Sequence, residues 1–330
     1  LLSFDFGAKA EAGGSPAART LALQRDSIAL WVELERELAA DFDITLTGGL
    51  MVAETERDLR FLDDKTQIER DQGIDCHVIG ADELRRLEPA LNPSFIGAAY
   101  CPGEGKINPL KATQGIVAAA LAAGARLYTG TGVVGISRHG AGFAIATPRG
   151  TIRARRVVNS AGGFAAEIGR MLGRVVPVFG APLQMIVTEP AAPLITRLIA
   201  HADRHLTLKQ AANGSLLIGG GWTAGLDPIH HHPRPMRSSL EGNLWVAQHV
   251  VPDIRKLHIV RTWAAMNIDI DGAPILGEDP GMPGLFHAVT SNGYTLGPLV
   301  GRITADMILG GATDRDIAPF SLSRFGDAAA

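Results

Sequence analysis

The chain has 330 residues, of which 46% are hydrophobic and 20% are charged, and its formal net charge is −3. These values are ordinary for a globular protein of about two domains, and they exclude a general electrostatic attraction to nucleic acid or to an anionic membrane. No apolar run approaches the length of a transmembrane helix. The two cysteines, Cys76 and Cys101, form neither a disulfide framework nor a metal-ligand pattern, so we expect free thiols and a cytoplasmic protein.

Apolar residues that recur at helical spacing predict the helices. In chain order, they are expected at residues 16–40, 54–72, 81–88, 109–123, 164–172, 235–250 and 298–310. The fourth has Asn108 as its N-cap and Pro109 at its first position, which are preferred residues there. Its face of Leu110, Ile116, Val117, Ala120 and Leu121 is expected to be buried. The last helix is expected to begin near Pro298, because the first position of a helix tolerates proline.

Strand-like runs lie between these helices, and residues 89–109 are expected to form turns. The strands are expected at residues 43–46, 50–53, 126–128, 132–137, 142–147, 151–159, 178–189, 204–220, 258–265, 274–276 and 285–289. Strands and helices do not alternate steadily in the middle of the chain. This pattern favours an α/β domain interleaved with an α+β domain.

Two glycine-rich turns stand between a strand-like run and a helix. They are Val157–Gly163 and Ser291–Gly301. Such a turn directs backbone N–H groups and the positive end of the helix dipole at whatever lies in front, which suits an anion or an electron-rich ring carbonyl. Close packing of strand against helix would explain the same glycines.

The strand–GxGxxG–helix unit of a dinucleotide-binding site is missing from this sequence. Three glycine groups imitate it, but none has both a strand before it and a helix after it. They are Gly13-Gly14, Gly48-Gly49 and Gly219-Gly220-Gly221.

Other chemical patterns are weak. The run His230-His231-His232, even together with His201 and His205, lacks the spacing of a metal site, because adjacent residues rarely turn toward one ion. We expect a polar loop and no metal. The basic residues Arg153 and 155–156 are too few for a nucleic-acid surface and are expected at a solvated strand edge.

Several segments, in order, resemble the FAD-dependent amine and amino-acid oxidoreductases, the family that includes D-amino-acid oxidase, sarcosine oxidase and glycine oxidase. They are Thr47–Val52, Asn108–Val134, Val157–Gly163, and Asp271–Gly277 followed by Ser291–Gly301. The resemblance extends from about residue 16 to residue 310. Its details are closest to opine-oxidase and hydroxyproline-dehydrogenase-like members.

The resemblance implies a fold and a division into domains. The fold would be α/β, with an FAD-binding (glutathione-reductase-like) domain interleaved with an α+β substrate domain that has a mixed or antiparallel sheet. The FAD-binding domain is expected at residues 1–43, 105–175 and 265–330, without its N-terminal nucleotide-binding unit. The substrate domain is expected at residues 44–104 and 176–264.

The resemblance also implies FAD as cofactor and hydride transfer to the flavin from the C–H beside the nitrogen of an amino acid, imino acid or opine-like amine. Water would hydrolyse the resulting imine. The expected cofactor contacts are Val133, Val134, Ala161, Gly162, Gly163, Gly272, Gly293, Tyr294, Thr295, Leu296 and Gly297. The substrate candidates are Met51, Met185, Trp222 and Trp263, each of which could instead fill the core. No catalytic residue is assigned from the sequence.

Two departures from the family pattern matter. If the molecule lacks the nucleotide-binding unit ahead of Leu1, tight FAD binding is not expected, and the alternative is a cofactor-free interaction subunit or an inactive remnant. Second, Met266-Asn267-Ile268 stand where several relatives place an arginine for the substrate carboxylate. This either argues against a simple α-amino acid or moves the anchor elsewhere. The expected partners are a small amine or amino acid and subunits that accept electrons.

Overall fold

A computed structural model describes residues 16–229, 232–311 and 313–329. The chain forms two compact units. Unit 1 comprises the residues up to Ala22, Ala40–Thr113 and Ala181–Asn267, and unit 2 comprises Leu23–Ala39, Gln114–Gly180 and the residues from Ile268 onward. The glycines Gly13-Gly14 and the histidines His230 and His231 lie outside the described residues.

The predicted helices are confirmed, with ends that differ by three residues or fewer except at the start of the last one. In chain order they are α1 (Pro16–Glu37), α2 (Glu56–Asp71), α3 (Ala81–Leu87), α4 (Pro109–Ala122), α5 (Ala165–Met171), α6 (Arg237–Val250) and α7 (Gly293–Gly310). A capping box starts α2: the Thr55 hydroxyl accepts from the Asp58 N–H, and the Asp58 carboxylate accepts from the Thr55 N–H. None of the described helices is long and apolar enough to cross a membrane.

The strands, in chain order, are β1 (Gly49–Ala53), β2 (His77–Gly80), β3 (Gly97–Cys101), β4 (Gly135–His139), β5 (Gly142–Thr147), β6 (Gly150–Ala154), β7 (Val157–Asn159), β8 (Pro182–Pro190), β9 (Leu198–His201), β10 (Thr207–Gln210), β11 (Ser215–Gly219), β12 (Gly225–Leu226), β13 (Pro233–Arg234), β14 (Ile259–Met266), β15 (Ile275–Glu278) and β16 (Leu285–Val289). The prediction was wrong at residues 43–46, where Thr45 makes an isolated bridge to Lys106, and at 126–128, which form no strand. It also missed β2, β3, β9, β12 and β13.

Unit 1 is built on a mixed sheet of eight strands in the order β14-β8-β11-β10-β9-β1-β3-β2. β1 runs parallel to β9 and antiparallel to β3. One face carries the largest core, in which β-strand residues such as Leu50, Ile199 and Ile218 pack with Val246 and Val250 of α6. On the opposite face, Leu62 of α2 packs against Met51 and Ala99.

Unit 2 contains two three-stranded sheets. The antiparallel sheet β4-β5-β6 packs through Ile136 and Phe143 against Leu285. In the second sheet, ordered β15-β16-β7, β16 pairs antiparallel with β15 and parallel with β7. Helices α1 and α7 pack on this sheet through a core that includes Leu30 and Leu299. The parallel pair places the ends of β7 and β16 at the same edge, where a site can form.

The predicted buried face of α4 is wrong. Ala112 is the buried residue of this helix, whereas Leu110 and Leu121 are exposed by 72% and 45%. Ile116 and Val117 are half-buried, and Ala120 is exposed. Hydrophobic periodicity shows that a helix has an apolar face, but it does not say which surface covers that face.

A buried ion network in unit 2 joins β16 to the loop after β15. The Asp279 carboxylate accepts from Arg174 Nε at 3.1 Å and lies 3.0 Å from His287 Nε2. Burial is the largest influence on Asp279 and would raise its pKa, but its hydrogen bonds to His287 and Arg174 lower the pKa overall. Burial lowers the pKa of His287 more than the Asp279 charge raises it.

We predict that acidification from pH 7.5 to 5.5 lowers the free energy of unfolding. Burial also lowers the pKa of His201 in unit 1, so both histidines take up a proton less readily in the folded state than in the unfolded chain, where histidine becomes protonated below about pH 6.5. Their stabilisation is therefore complete above this pH and is lost as the pH falls through it. The pKa of Asp279 is lowered, so protonation of this carboxylate reduces the free energy of unfolding only at more acidic pH. Urea unfolding at several pH values checks this prediction. His201→Gln and His287→Gln should each make the free energy of unfolding depend less steeply on pH, and an unchanged pH dependence in both variants would contradict the prediction.

Candidate functional site

An open cleft of about 490 Å³ lies in unit 2, between the end of β7 and helix α7. Its lining is mostly small or apolar. The lining residues are Val158, Ser160, Gly162, Ile268, Ala288, Val289, Thr290, Gly293, Gly297, Val300, Gly301, Thr304, Ala305 and Ile308. Three of the predicted cofactor contacts, Gly162, Gly293 and Gly297, are therefore brought together here.

One row of residues along α7 presents almost no side chain to this cleft. Gly293, Gly297, Gly301 and Ala305 follow one another at intervals of four residues, so they lie in a single row along the helix. A Cβ atom added at any of the three glycines would meet no atom within 4 Å. Along this row the backbone faces open space, and the side chains of Val300, Thr304 and Ile308 line the cleft beside it.

Helix α7 begins at Gly293, so the prediction of a start near Pro298 is wrong. Asn292 is the N-cap residue, and no side chain caps this end. The positive end of the helix dipole is therefore available at Gly293, beside the cleft. Local sequence favoured Pro298 because proline prefers the first turn, but the surrounding packing supports a proline inside this helix.

Trp31 compensates for that proline. Because Pro298 has no N–H, the carbonyl of Tyr294, four residues earlier, loses its intrahelical donor. The indole N–H of Trp31, on α1, donates to this carbonyl at 2.6 Å. The first turn of α7 is thus held by a side chain that lies 263 residues away in the sequence.

We predict that Trp31→Phe lowers the free energy of unfolding by about 1–3 kcal/mol, because it removes the indole N–H that donates to the Tyr294 carbonyl. Adding Pro298→Ala supplies a backbone N–H to the same carbonyl. The double variant should therefore recover much of the loss in urea unfolding. A Trp31→Phe deficit that Pro298→Ala does not reduce would show that the hydrogen bond is not the cause.

A second predicted feature, the turn at Asp271-Gly272-Ala273-Pro274, is fixed from the C-terminal segment. Arg324 donates from Nε and Nη2 to the two carboxylate oxygens of Asp271, each at 2.8 Å. Hydrogen bonds and charge from Arg324 outweigh burial and lower the pKa of Asp271. Gly272 has a φ of +89°, a conformation that favours glycine. Gly272 does not line the cleft.

The turn after β7 has the predicted strand–glycine–helix form. Gly162 has a φ of +58° and begins a 3₁₀ turn, Gly162–Phe164, that leads into α5. Asn159, buried at the end of β7, donates to the Ala165 carbonyl and fixes this turn. Ala161 and Gly163 belong to the turn but do not line the cleft.

The other predicted cofactor residues lie outside the cleft lining. Val134 is exposed and its N–H donates to the Ala146 carbonyl, while Val133 packs in the cluster around Phe143. On α7, Tyr294 is exposed, but the Leu296 side chain is fully buried in the core. A contact from Leu296 to a ligand would therefore use its backbone.

Three of the four predicted substrate residues share one face of the sheet in unit 1. They belong to a single row across the strands, which runs Trp263, Met185, Gly219, Thr207, Ala200 and Met51. The Met185 thioether and the Thr207 hydroxyl lie over Gly219, where a Cβ would stand. Trp222 is separate, because it packs with Gly242 of α6 in the core on the opposite face.

Sequence reasoning missed several cleft residues. They are Val158, Ser160, Ile268, Ala288, Val289, Thr290, Val300, Gly301, Thr304, Ala305 and Ile308. A signal for some of them was present, since glycine or alanine recurs every four residues from Gly293 to Ala305. Among the described residues, no group of three or more His, Cys, Asp or Glu side chains could hold a metal ion.

Comparison with known proteins identifies the family. The profile described as "DAO: FAD dependent oxidoreductase" matches residues 6–307. Glycine oxidase from Geobacillus kaustophilus is 31% identical over 324 residues, which cover 96% of this chain and 85% of that protein. The hydrogen cyanide synthase subunit HcnC from Pseudomonas aeruginosa is 29% identical over 321 residues, with 94% and 75% covered.

Solved structures confirm the predicted fold class. The crystal structure of glycine oxidase from Geobacillus kaustophilus matches with a TM-score of 0.84 and 30% identity, covering 97% of this chain and 86% of that one. L-proline dehydrogenase from P. horikoshii matches with a TM-score of 0.84, 24% identity and coverage of 92% and 82%. At this lower identity, the second match supports the fold.

The residues of the cleft fit a flavin. A flat ring needs a wall free of side chains, and the row Gly293, Gly297 and Gly301 provides one with no atom within 4 Å of an added Cβ. The electron-rich carbonyl edge of the ring needs a positive partner, and the uncapped start of α7 provides it. With the match over residues 6–307 and the shared fold, these features show that the chain belongs to the DAO family of FAD-dependent oxidoreductases and is an enzyme whose cofactor is FAD.

Proposed function

We propose that this enzyme oxidises the C–N bond of a small amino or imino acid, with hydride transfer to FAD and hydrolysis of the imine by water. The likeness to glycine oxidase, over 96% of this chain, supports a small amine that bears a carboxylate. The finer likeness to opine-oxidase and hydroxyproline-dehydrogenase-like members stays a prediction.

The glycine row of α7 is the observation that carries this proposal. FAD supplies the acceptor for the two electrons of the substrate. We propose that Gly293 and Gly297 contact the ring, and that Gly162 approaches it from the turn after β7. The backbone N–H groups at the start of α7, from Gly293 to Leu296, would stabilise negative charge on the ring carbonyl edge.

The remaining predicted contacts are proposed for other parts of the cofactor. These contacts are Val133, Val134, Ala161, Gly163 and Gly272. We propose that Tyr294 and Thr295 contact the cofactor through the backbone of the first turn of α7. The positive φ of Gly272 supports a tight turn whose backbone a ligand can approach.

We propose that unit 2 holds the cofactor and unit 1 recognises the substrate. The unit boundaries after Thr113, Gly180 and Asn267 support the predicted domains, FAD-binding at 1–43, 105–175 and 265–330 and substrate-binding at 44–104 and 176–264. The compact units differ from this assignment at several boundaries. They group the residues up to Ala22 and residues 40–43, 105–113 and 265–267 with unit 1, and residues 176–180 with unit 2. Met51, Met185 and Trp263 share a row on one sheet face. The half-buried Met185 and Trp263 are proposed as an apolar wall for the substrate, whereas Met51 is buried against Leu62 of α2 and supports this wall from the core.

We also propose that the enzyme passes electrons to a partner subunit. The support is the likeness to HcnC, which is named as a subunit of hydrogen cyanide synthase. A cytoplasmic location is proposed on the basis of the free thiols Cys76 and Cys101. Burial raises the pKa of Cys101 to about 12 and raises that of Cys76 as well, so both thiols stay protonated.

Anaerobic spectroscopy tests the proposed activity. Full-length protein, purified with FAD, should show flavin absorbance that bleaches on addition of glycine, sarcosine or L-proline. The matched control is glycolate, in which a hydroxyl group replaces the amino group of glycine. Glycolate lacks the nitrogen and should cause no bleaching. A protein that retains no flavin would favour the cofactor-free subunit or inactive remnant, and a flavin that none of these amines reduces would reject the proposed substrate class.

A further inference from the structure

A second cavity of unit 2, which we call the charged pocket, lies on the opposite side of α7 from the cleft. Its volume is about 260 Å³. Helix α7 contributes Arg302 and Asp306 to its wall, and the segment after the helix contributes Thr313, Asp314 and Arg315. Successive residues of a helix are rotated by about 100°, which places the two α7 side chains roughly opposite the glycine row.

The segment after α7 is held in place by Arg315. Its Nη1 donates to the Asp26 carboxylate of α1 at 2.7 Å, and its backbone N–H donates to the Thr313 hydroxyl at 3.4 Å. Within the described part of the chain, the Arg315 guanidinium makes no other hydrogen bond, so most of its five N–H donors remain available to the pocket. A cation that is already positioned loses little conformational freedom when it binds an anion.

The two charged side chains of α7 are both available to a ligand. Among the residues that the structure describes, Arg302 and Asp306 make no side-chain hydrogen bond or ion pair. They stand four residues apart on the helix, but a basic residue that precedes an acidic one at this spacing pairs less well than the reverse order. Their charges therefore do not neutralise each other before a ligand binds.

The lining of the charged pocket favours a ligand that carries both signs of charge. The guanidinium groups of Arg302 and Arg315 can bind a carboxylate, and the carboxylates of Asp306 and Asp314 can bind an ammonium group. A phosphate or a dicarboxylate would be repelled by the two aspartates, and a simple amine would be repelled by the two arginines. A zwitterion satisfies both pairs.

The size and the apolar part of the lining restrict the ligand further. Leu299 and Ile303 line the pocket from the core, where they are exposed by only 4% and 2%. The volume is slightly below the range of about 300–1,000 Å³ that is usual for drug-sized ligands. A small amino acid with a short aliphatic side chain matches this size and this combination of charged and apolar groups.

We propose that the charged pocket binds a small zwitterionic amino acid as an effector, at a site separate from the cleft. The carboxylate would lie between Arg302 and Arg315, and the ammonium group would lie against Asp306 and Asp314. Helix α7 forms a wall of both cavities, so a ligand that holds one side of the helix affects the backbone that faces the cleft. This inference goes beyond the proposed function, because the bound amino acid is not oxidised.

Equilibrium dialysis of the full-length, FAD-loaded enzyme with radiolabelled 2-aminoisobutyrate counts the sites. This probe carries both charges but has no C–H beside its nitrogen, so hydride transfer cannot consume it. Arg302→Met and Asp306→Asn should each weaken one site about tenfold or more, because each removes a charge-assisted contact. Isobutyrate and isopropylamine, which each carry one of the two charges, should not compete at this site. Arg237→Met, which removes an exposed arginine paired with Glu241, is the control and should change nothing.

The dissociation constant of FAD gives a second readout. Coupling between two sites typically changes affinity by about fivefold or more, so 2-aminoisobutyrate should change FAD affinity by such a factor in the wild type and by less in Arg302→Met. The proposal is overturned if Arg302→Met binds as many molecules as the wild type, if isobutyrate competes fully, or if FAD affinity responds equally in both proteins. If the proposed function is wrong and the cleft binds no amine, the wild type should still bind one molecule per chain and Arg302→Met none.

Discussion

Gly297→Leu is expected to weaken FAD binding by about 100-fold while the protein remains folded. The leucine side chain would project into the open space in front of α7, where the ring is proposed to lie. A ring and a side chain cannot share this volume, and steric displacement of this kind costs about 1–3 kcal/mol or more. The dissociation constant of FAD, measured by fluorescence quenching on apoprotein and added cofactor, gives the magnitude.

Stability separates this effect from misfolding. Leucine favours the helix over glycine by up to about 1 kcal/mol, so the apoprotein of Gly297→Leu should unfold at an equal or higher urea concentration. Gly310→Leu is the matched control, because Gly310 lies on the same helix, also has open space at its Cβ and does not line the cleft. Its FAD affinity should not change. Unchanged FAD binding by Gly297→Leu would refute the role given to the glycine row.

Glu88→Ala is expected to destabilise unit 1 by about 3–5 kcal/mol, since it removes one partner of a buried ion pair. Glu88 follows α3 and is exposed by only 1%. Its carboxylate accepts hydrogen bonds from the backbone N–H groups of Thr196 and Arg197, from the Thr196 hydroxyl and from the Arg197 guanidinium. The alanine variant would remove the common acceptor of these four donors, and the Arg197 guanidinium would keep only its bonds to the Leu87 carbonyl and the Thr196 hydroxyl.

Glu83→Ala is the control for Glu88→Ala. Glu83 lies on α3 itself and forms an ion pair with Arg86, but its side chain is 43% exposed. Exposed pairs of this kind contribute about 0–1 kcal/mol. Urea unfolding followed by circular dichroism should therefore show a large loss for one carboxylate and a small loss for the other. Equal losses would mean that burial and the four donors do not set the contribution of Glu88.

Elements with a strong local signal could be predicted from the sequence. Helix α2 has its capping box at Thr55 and Asp58, and β5 has the alternation of a half-buried strand. Strand β3 could not be predicted, because Gly97-Ala98-Ala99 has no β-branched residue and forms a strand through its pairing with β1 and β2 on either side.

The candidate site was predictable to a similar extent. Gly293 and Gly297 stood out in the sequence as a possible ligand contact. The structure places an open cleft in front of them, as a ligand at this end of the helix would need. The helix start was not predictable, since the tolerance of Pro298 depends on a donor from distant Trp31.

The most direct measurement of the central claim is a crystal structure of the full-length enzyme with FAD bound. We predict density for the isoalloxazine ring against the backbone of Gly293 and Gly297, with its carbonyl edge toward the first turn of α7. Flavin density elsewhere on the chain, with the α7 cleft empty, would contradict this account of the cofactor site.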